Sequence, residues 1–231
     1  GIETSATFIA NKLNEAHNNG GVTYGYEWFI IPMLRAGKTV DNDILDEYYL
    51  SVADEVKEWT VDKKPTDVAR VALALIVMGK DITDIDGVNI AELLYNSTRL
   101  SDGSNELAYA LLALDAADVE IPETAEWNRD SVIAEILNFQ LANGGFGLND
   151  TESADIDMTA ICLQALAPYH DKDEVKTATE NAIYYLKKAL SDDFNYSDNS
   201  NTTAQVLLAL ASLKIDVTVE GNGFGDNNFN I

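Results

Sequence analysis

Asp157-Met158-Thr159-Ala160-Ile161-Cys162-Leu163-Gln164-Ala165-Leu166-Ala167 and Asn201-Thr202-Thr203-Ala204-Gln205-Val206-Leu207-Leu208-Ala209-Leu210-Ala211 are two copies of one pattern, in register at an offset of 44 residues. In each copy a polar residue opens a run that is apolar nearly all the way round. A helix of that kind must be buried on most faces. Similar runs occur at residues 71–78 and 107–114, and residues 28–34 read as a divergent first copy. The openers are Glu27, Asp67, Glu106, Asp157 and Asn201.

Helices of a second type separate these runs. Residues 42–59 place Leu45, Tyr48, Tyr49, Val52, Val56 and Trp59 at helical spacing, with acids on the other side. Residues 128–142 and 171–191 show the same single apolar stripe, so each of these helices keeps one wet face. Strand signals are weak throughout. The alternation predicts an all-α fold in which buried inner helices are wrapped by half-exposed outer ones. Five pairs result: 5–17 with 25–37, 42–59 with 65–79, 88–97 with 104–118, 128–142 with 155–169, and 171–191 with 201–215. Pro65 stands at a helix start, Gly37 and Gly79 at helix ends, and Asn143-Gly144-Gly145 in a link. The whole of residues 1–231 reads as one domain, the native protein extending further if a sixth pair exists.

Charge limits the partners. There are 39 acidic residues against 15 basic ones, for a net charge of −24. That field repels nucleic-acid phosphates and anionic lipid headgroups. Its plain role is solubility, and a cationic partner or divalent ions are the functional alternative. No apolar run is long enough for a transmembrane helix. No secretion signal is present, and a start at Gly1 fits one already removed. The single cysteine, Cys162, rules out an internal disulfide and reads as a small core residue.

Gln140-Leu141-Ala142-Asn143-Gly144-Gly145-Phe146-Gly147 resembles the Q-x3-G-x-W repeat of squalene and terpene cyclases, with Phe146 in place of Trp. Asp155-Ile156-Asp157-Met158-Thr159-Ala160 resembles their D-x-D-D-T-A motif. The resemblance is to the terpenoid-cyclase and protein-prenyltransferase superfamily, and it covers roughly residues 128–216. The chain also resembles prenyltransferase-like and transcobalamin-like domains of secreted bacterial proteins. The fold implied is an α/α toroid, where an armadillo or HEAT solenoid is the alternative from repeat length alone. The family ring has six pairs and this chain shows five. Residues 221–225 read as the start of a sixth, and an incomplete ring predicts self-association.

In the class II cyclases the middle aspartate protonates an alkene or epoxide, a role that falls by resemblance on Asp157, with Asp155 beside it. Here Met158 replaces the third aspartate, and only His17 and His170 exist as supporting bases. The simpler reading makes Asp157 a helix cap, with Asn201 in the same slot of the next copy. A phosphate loop at residues 144–147 lacks a lysine and lies near Asn149, Asp150 and Glu152, so it reads as a tight turn pinned by Phe146. Prenyltransferase zinc needs an aspartate, a cysteine and a histidine, and no D-x-C element surrounds Cys162. The acidic loop at residues 81–87 has the wrong register for calcium, with Leu93 where the bidentate acid belongs. Asp192-Asp193 with Asp198 makes an equally weak calcium loop.

In a toroid the inner helices run parallel and their N-termini gather at one mouth, where family ligands approach. Glu27, Trp28, Asp67, Arg70, Glu106, Tyr109 and Gln205 are the ligand-binding candidates there, with Tyr24 and Tyr26 as an aromatic lip; capping, an Arg70 ion pair and core packing are the bland account. Three functions compete. The first is a non-catalytic ligand-binding, scaffold or adhesion module of a secreted or surface-attached bacterial protein, without cofactor. The second is cobalamin binding, as in transcobalamin-like proteins, whose completing β-domain is not visible here. The third is a class II cyclase-like enzyme using Asp157 as general acid.

Overall fold

The computed structural model describes residues 2–149, 153–191, 195–196, 199–217, 219 and 224. Among them the chain is all-α, with no strand beyond isolated bridges. Ten helices form: α1 (Ile2–Asn18), α2 (Glu27–Arg35), α3 (Asn42–Glu55), α4 (Pro65–Val77), α5 (Ile90–Tyr95), α6 (Ser104–Ala116), α7 (Arg129–Asn138), α8 (Ile156–Leu166), α9 (Asp173–Ala189) and α10 (Ser200–Ser212). Each coincides with one of the ten expected helices, α1 running past its expected span at both ends and most of the others ending short of theirs. Two of the shortenings change the local structure. The helix expected over 128–142 stops at Asn138, because Phe139 and Gln140 turn out of it and Gln140 bridges to Phe146. In place of 88–97 only the six residues of α5 are helical. Among the described residues, no helix is long and apolar enough to cross a membrane.

The chain divides into two compact units: residues 1–99 with 113–126, and residues 100–112 with 127–231. In the first unit α4 packs against α2 and α5, and α1 against α2 and α3. Pro65 occupies the first turn of α4, where its missing N–H leaves no bond unmade. Val68, Ala69, Val71, Ala72, Ala74 and Leu75 are fully buried, as an all-round apolar helix requires. The helix α3 buries Ile44, Tyr48 and Val52 on its stripe, and Val56 is buried in the 3-10 turn that follows it. Its Glu47 ties the elements together: Oε2 accepts the Val22 N–H at 3.0 Å and Oε1 meets His17 Nδ1 at 2.9 Å. The loop at 81–87 is closed by its own side chains. Asp81 accepts from the Thr83 amide and hydroxyl, Asp84 accepts from the Gly87 amide, and Asp86 pairs with Lys57 at 2.8 Å.

In the second unit α8 packs on α9 and α10. The 44-residue repeat reappears as one hydrogen-bonded device built twice. Asp155 is the N-cap of α8, accepting the Met158 N–H at 2.9 Å. Thr159 Oγ1 donates to the Asp155 carbonyl at 2.6 Å and accepts the Phe146 N–H at 2.9 Å, while the Asp155 N–H returns to the Phe146 carbonyl at 2.9 Å. One repeat on, Asn199 is the N-cap of α10. Thr203 Oγ1 donates to the Asn199 carbonyl at 3.0 Å and accepts the Tyr196 N–H at 3.2 Å, and the Asn199 N–H returns to the Tyr196 carbonyl at 2.9 Å. Phe146 and Tyr196 are both fully buried. Each aromatic is thereby locked to the start of the helix that follows it, adding about 1.5–3 kcal/mol of apolar burial per ring.

Two expectations change. Asp157 and Asn201 are not the caps; Asp155 and Asn199 are, two residues earlier in each copy. The cap side chain must belong to the last non-helical residue, and both helices begin earlier than the apolar run suggests. The apolar runs are also not buried equally. Trp28, Pro32 and Arg35 form an exposed stripe on α2, and Ala204, Leu208 and Ala211 form one on α10, whereas α4 and α8 expose no residue within their helical spans. Asp150, Glu152, Asp192, Asp193, Asp198, Gly221 to Gly223 and Gly225 lie outside the described residues. Phe224 is buried, with the Lys187 ammonium 5.1 Å from its ring centre.

Gly144 has φ +91°, and a Cβ there would stand 2.4 Å from the Asn181 carbonyl oxygen. Gly144→Ala is expected to cost about 2–4 kcal/mol in urea unfolding, from a left-handed backbone plus a backbone clash. Gly20→Ala, at φ +131° with no neighbour within 4 Å, carries the backbone cost alone and serves as comparison. The Glu47 carboxyl is held below its ordinary 4.5 by the Val22 N–H and then by His17. Its stabilisation is present at neutral pH and is lost as pH falls through that lowered value. Glu47→Gln should therefore lower Tm at pH 7, with the gap to the parent protein closing only in acid below 4.5.

Candidate functional site

The candidate residues divide between the two units. In the first, Glu27 opens α2 and is completely buried. It does not cap its helix by side chain; the N-cap is Tyr26, which makes no side-chain cap bond. Instead Glu27 Oε1 accepts the Gly25 N–H at 2.8 Å and the Tyr48 hydroxyl at 3.0 Å, and Oε2 accepts Arg70 Nε at 3.0 Å. A buried carboxylate is tolerated only with a counter-charge and filled lone pairs, and this one has both. Arg70, in the second turn of α4, also reaches Asp67 at 3.3 Å and donates Nη2 to the Tyr24 hydroxyl at 3.3 Å. Burial, then the Glu27 charge, pushes the Tyr48 hydroxyl far above the usual range, so it remains a donor.

Aromatic groups flank this cluster. Tyr24 meets Trp59 edge-to-face with ring centres 5.8 Å apart. Lys63 Nζ lies 4.6 Å from the Trp59 centre and 5.5 Å from the Tyr24 centre, and 3.8 Å from Glu55. The indole N–H of Trp59 donates to the same Glu55 oxygen at 3.1 Å. Trp28, placed on the lip by sequence, is 51% exposed, while Tyr26 packs its ring against Phe29 at 5.7 Å.

In the second unit Asp157 sits in the first turn of α8, half-buried, and its Oδ2 accepts the Thr202 hydroxyl of α10 at 3.2 Å. Two turns on, the Gln164 amide donates to the Gln205 side-chain oxygen at 3.0 Å. Both ties progress in the same direction along the two helices, which therefore run parallel. Tyr109 of α6 feels the Asp157 charge, which adds to burial in raising its hydroxyl. Glu106 is 7% exposed in the first turn of α6. Gly103 leaves room for it: a Cβ there would stand 2.7 Å from Glu106 Oε2 and 2.9 Å from the Leu148 carbonyl. Asp155 faces its own helix as the cap and makes no tie to α10 comparable with that of Asp157 among the described hydrogen bonds.

Sequence reasoning missed Tyr48, Thr202 and Ser104 as polar partners. Tyr48 reads as one more member of an apolar stripe, and its hydroxyl is the only signal that the stripe ends on a buried acceptor. Ser104 is fully buried and donates to the Gly147 carbonyl at 2.8 Å. Its hydroxyl also bonds the Cys162 thiol, which burial pushes up to about 12. Among the described residues no group of three or more His, Cys, Asp or Glu stands together as a metal site. Comparison with protein-family models, with curated proteins and with solved structures finds no match to this chain.

Glu27→Gln keeps the shape and removes the buried charge that Arg70 Nε faces, while Asp67 remains as the second counter-charge of Arg70. The variant is expected to lose about 1–3 kcal/mol in urea unfolding at pH 7, since a charge-assisted bond to a buried group is lost and the amide NH₂ has to be accommodated among donors. Tyr48→Phe removes a single donor and should cost about 1 kcal/mol.

Proposed function

We propose that this chain is a non-catalytic ligand-binding or scaffold module with a terpenoid-cyclase-like α/α-toroid arrangement, belonging to a secreted or surface-attached bacterial protein. The observation that carries this reading is the state of Asp157. An acid that protonates a hydrocarbon must aim its O–H into a dry cavity. Asp157 is half-buried and accepts a hydrogen bond from Thr202, so its carboxylate works as a tie between α8 and α10. Glu27 is likewise engaged by three protein donors. Rigid, self-satisfied helix starts suit a scaffold that presents a surface.

The net charge of −24 favours neutral or cationic partners over phosphate-rich ones. Self-association belongs to the same reading, with the stripe Ala204, Leu208 and Ala211 of α10 as the apolar surface offered.

Incubation with squalene, with its epoxide and with geranylgeranyl diphosphate should yield no cyclised product by mass spectrometry. A product that Asp157→Asn abolishes overturns the reading in favour of an enzyme. Cobalamin added to the protein should keep its visible spectrum; a shift would replace the proposal with corrinoid binding.

A further inference from the structure

We propose that the groove between the turn at residues 141–144 and the C-terminal half of α9 binds a neutral sugar. This rests on the reading of the chain as a binding module and supplies its ligand class. The groove encloses about 730 Å³. That lies within the range of about 300–1,000 Å³ typical of small-molecule sites.

One wall is a face of α9 carrying Asn181, Tyr184, Tyr185 and Lys188, spaced three or four residues apart. The other is the turn, with Asn143 and Gly144. The two walls are fixed to each other. Gln140 Nε2 donates to the Ala178 carbonyl of α9 at 2.7 Å and to the Gly144 carbonyl at 2.9 Å. The absent side chain of Gly144 lets the turn press against Asn181, and Gly145 packs in the same way on the Tyr185 ring. Tyr185 is held from its other end, donating its hydroxyl to the Ala154 carbonyl at 3.0 Å. A groove held this firmly does not have to be ordered when ligand arrives.

The groups it presents select the ligand. Tyr184 is 56% exposed, a large ring left in water with the Lys188 ammonium 4.5 Å from its centre. Asn181 is exposed, and no protein group among the described residues bonds its amide. Asn143 is exposed as well and uses its oxygen to accept the Gly145 N–H at 3.1 Å, which leaves its NH₂ to donate outward. Among the described residues the lining holds no carboxylate, although the chain carries 39 acids. A cationic ligand therefore meets the Lys188 ammonium and no counter-charge, and an anionic one finds only that single ammonium, lying against the Tyr184 ring, within the repelling field of a chain of net charge −24. A pyranose answers what remains. Its C–H face lies on the aromatic ring, and its neighbouring hydroxyls pair with side-chain amides that both donate and accept. A proline-rich peptide fits less well, because it docks between several exposed aromatic ridges and Tyr185 is tied down under Gly145.

The experiment is isothermal titration of the intact chain with maltotetraose, cellotetraose, mannotriose and N-acetyllactosamine, and in parallel with decaproline. At least one sugar is expected to bind with Kd between about 10 µM and 1 mM. Tyr184→Ala and Asn181→Ala should each weaken it by about tenfold or more, while Tyr184→Phe, which keeps the ring, stays within about threefold of the parent. Circular dichroism and Tm of the variants confirm that these exposed positions leave the fold intact. No binding by any sugar at about 10 mM overturns the proposal, as does binding that survives both alanine variants, or binding of decaproline in place of the sugars. Failure here leaves the non-catalytic reading standing, whereas cyclised product in the isoprenoid assay removes that reading and says nothing about the groove.

Discussion

A helix whose apolar face packs against protein still has to find partners for the free N–H groups and acids of its first turn. That constraint organises both units. The starts of α2, α8 and α10 meet it with protein donors or acceptors. Asp155 and Asn199 cap α8 and α10. Thr159 and Thr203 bind the cap carbonyl and catch the amide of a buried aromatic residue. Glu27 meets the same demand with an arginine, a tyrosine and a backbone amide.

The two threonine locks show how a repeat is kept at the level of bonds while the connecting chain varies. Nine residues separate Phe146 from Asp155 and three separate Tyr196 from Asn199, yet the return bond from cap N–H to aromatic carbonyl is 2.9 Å in both. What recurs is the need to close the entry of a buried helix, and a threonine one turn inside the helix meets it in each case. The hydroxyl is well suited because it donates and accepts at once. Valine, of the same shape, would leave the Phe146 or Tyr196 N–H without its acceptor at a buried position, while each cap carbonyl keeps the backbone N–H of residue 159 or 203.

The same economy separates the polar clusters from the groove on α9. At Glu27 and at Asp157 the charged groups are turned inward, onto Arg70, Tyr48 and Thr202, and their task is to join helices. On α9 the polar groups face outward and the framework beneath them, Gln140, Gly144 and Tyr185, is what has been made rigid. Groups already bonded within the protein stabilise it, while outward-facing groups on a fixed base are free to meet a ligand.

The sequence alone determined the helices, the 44-residue repeat and the burial of Cys162, Phe146 and the core of α4, because apolar spacing and turn residues act over a few positions. It placed the polar openers Glu27, Asp67, Glu106 and Asp157 near their helix starts for the same reason, missing the cap by two residues where Asp155 and Asp157 offer equally good oxygens. Only the tertiary structure decided which partners those openers take. Glu27 finds Tyr48 and Arg70, 21 and 43 residues away, and Asp157 finds Thr202 after 45. Such pairs depend on how one helix is rotated against another, a property of packed surfaces that no local pattern encodes.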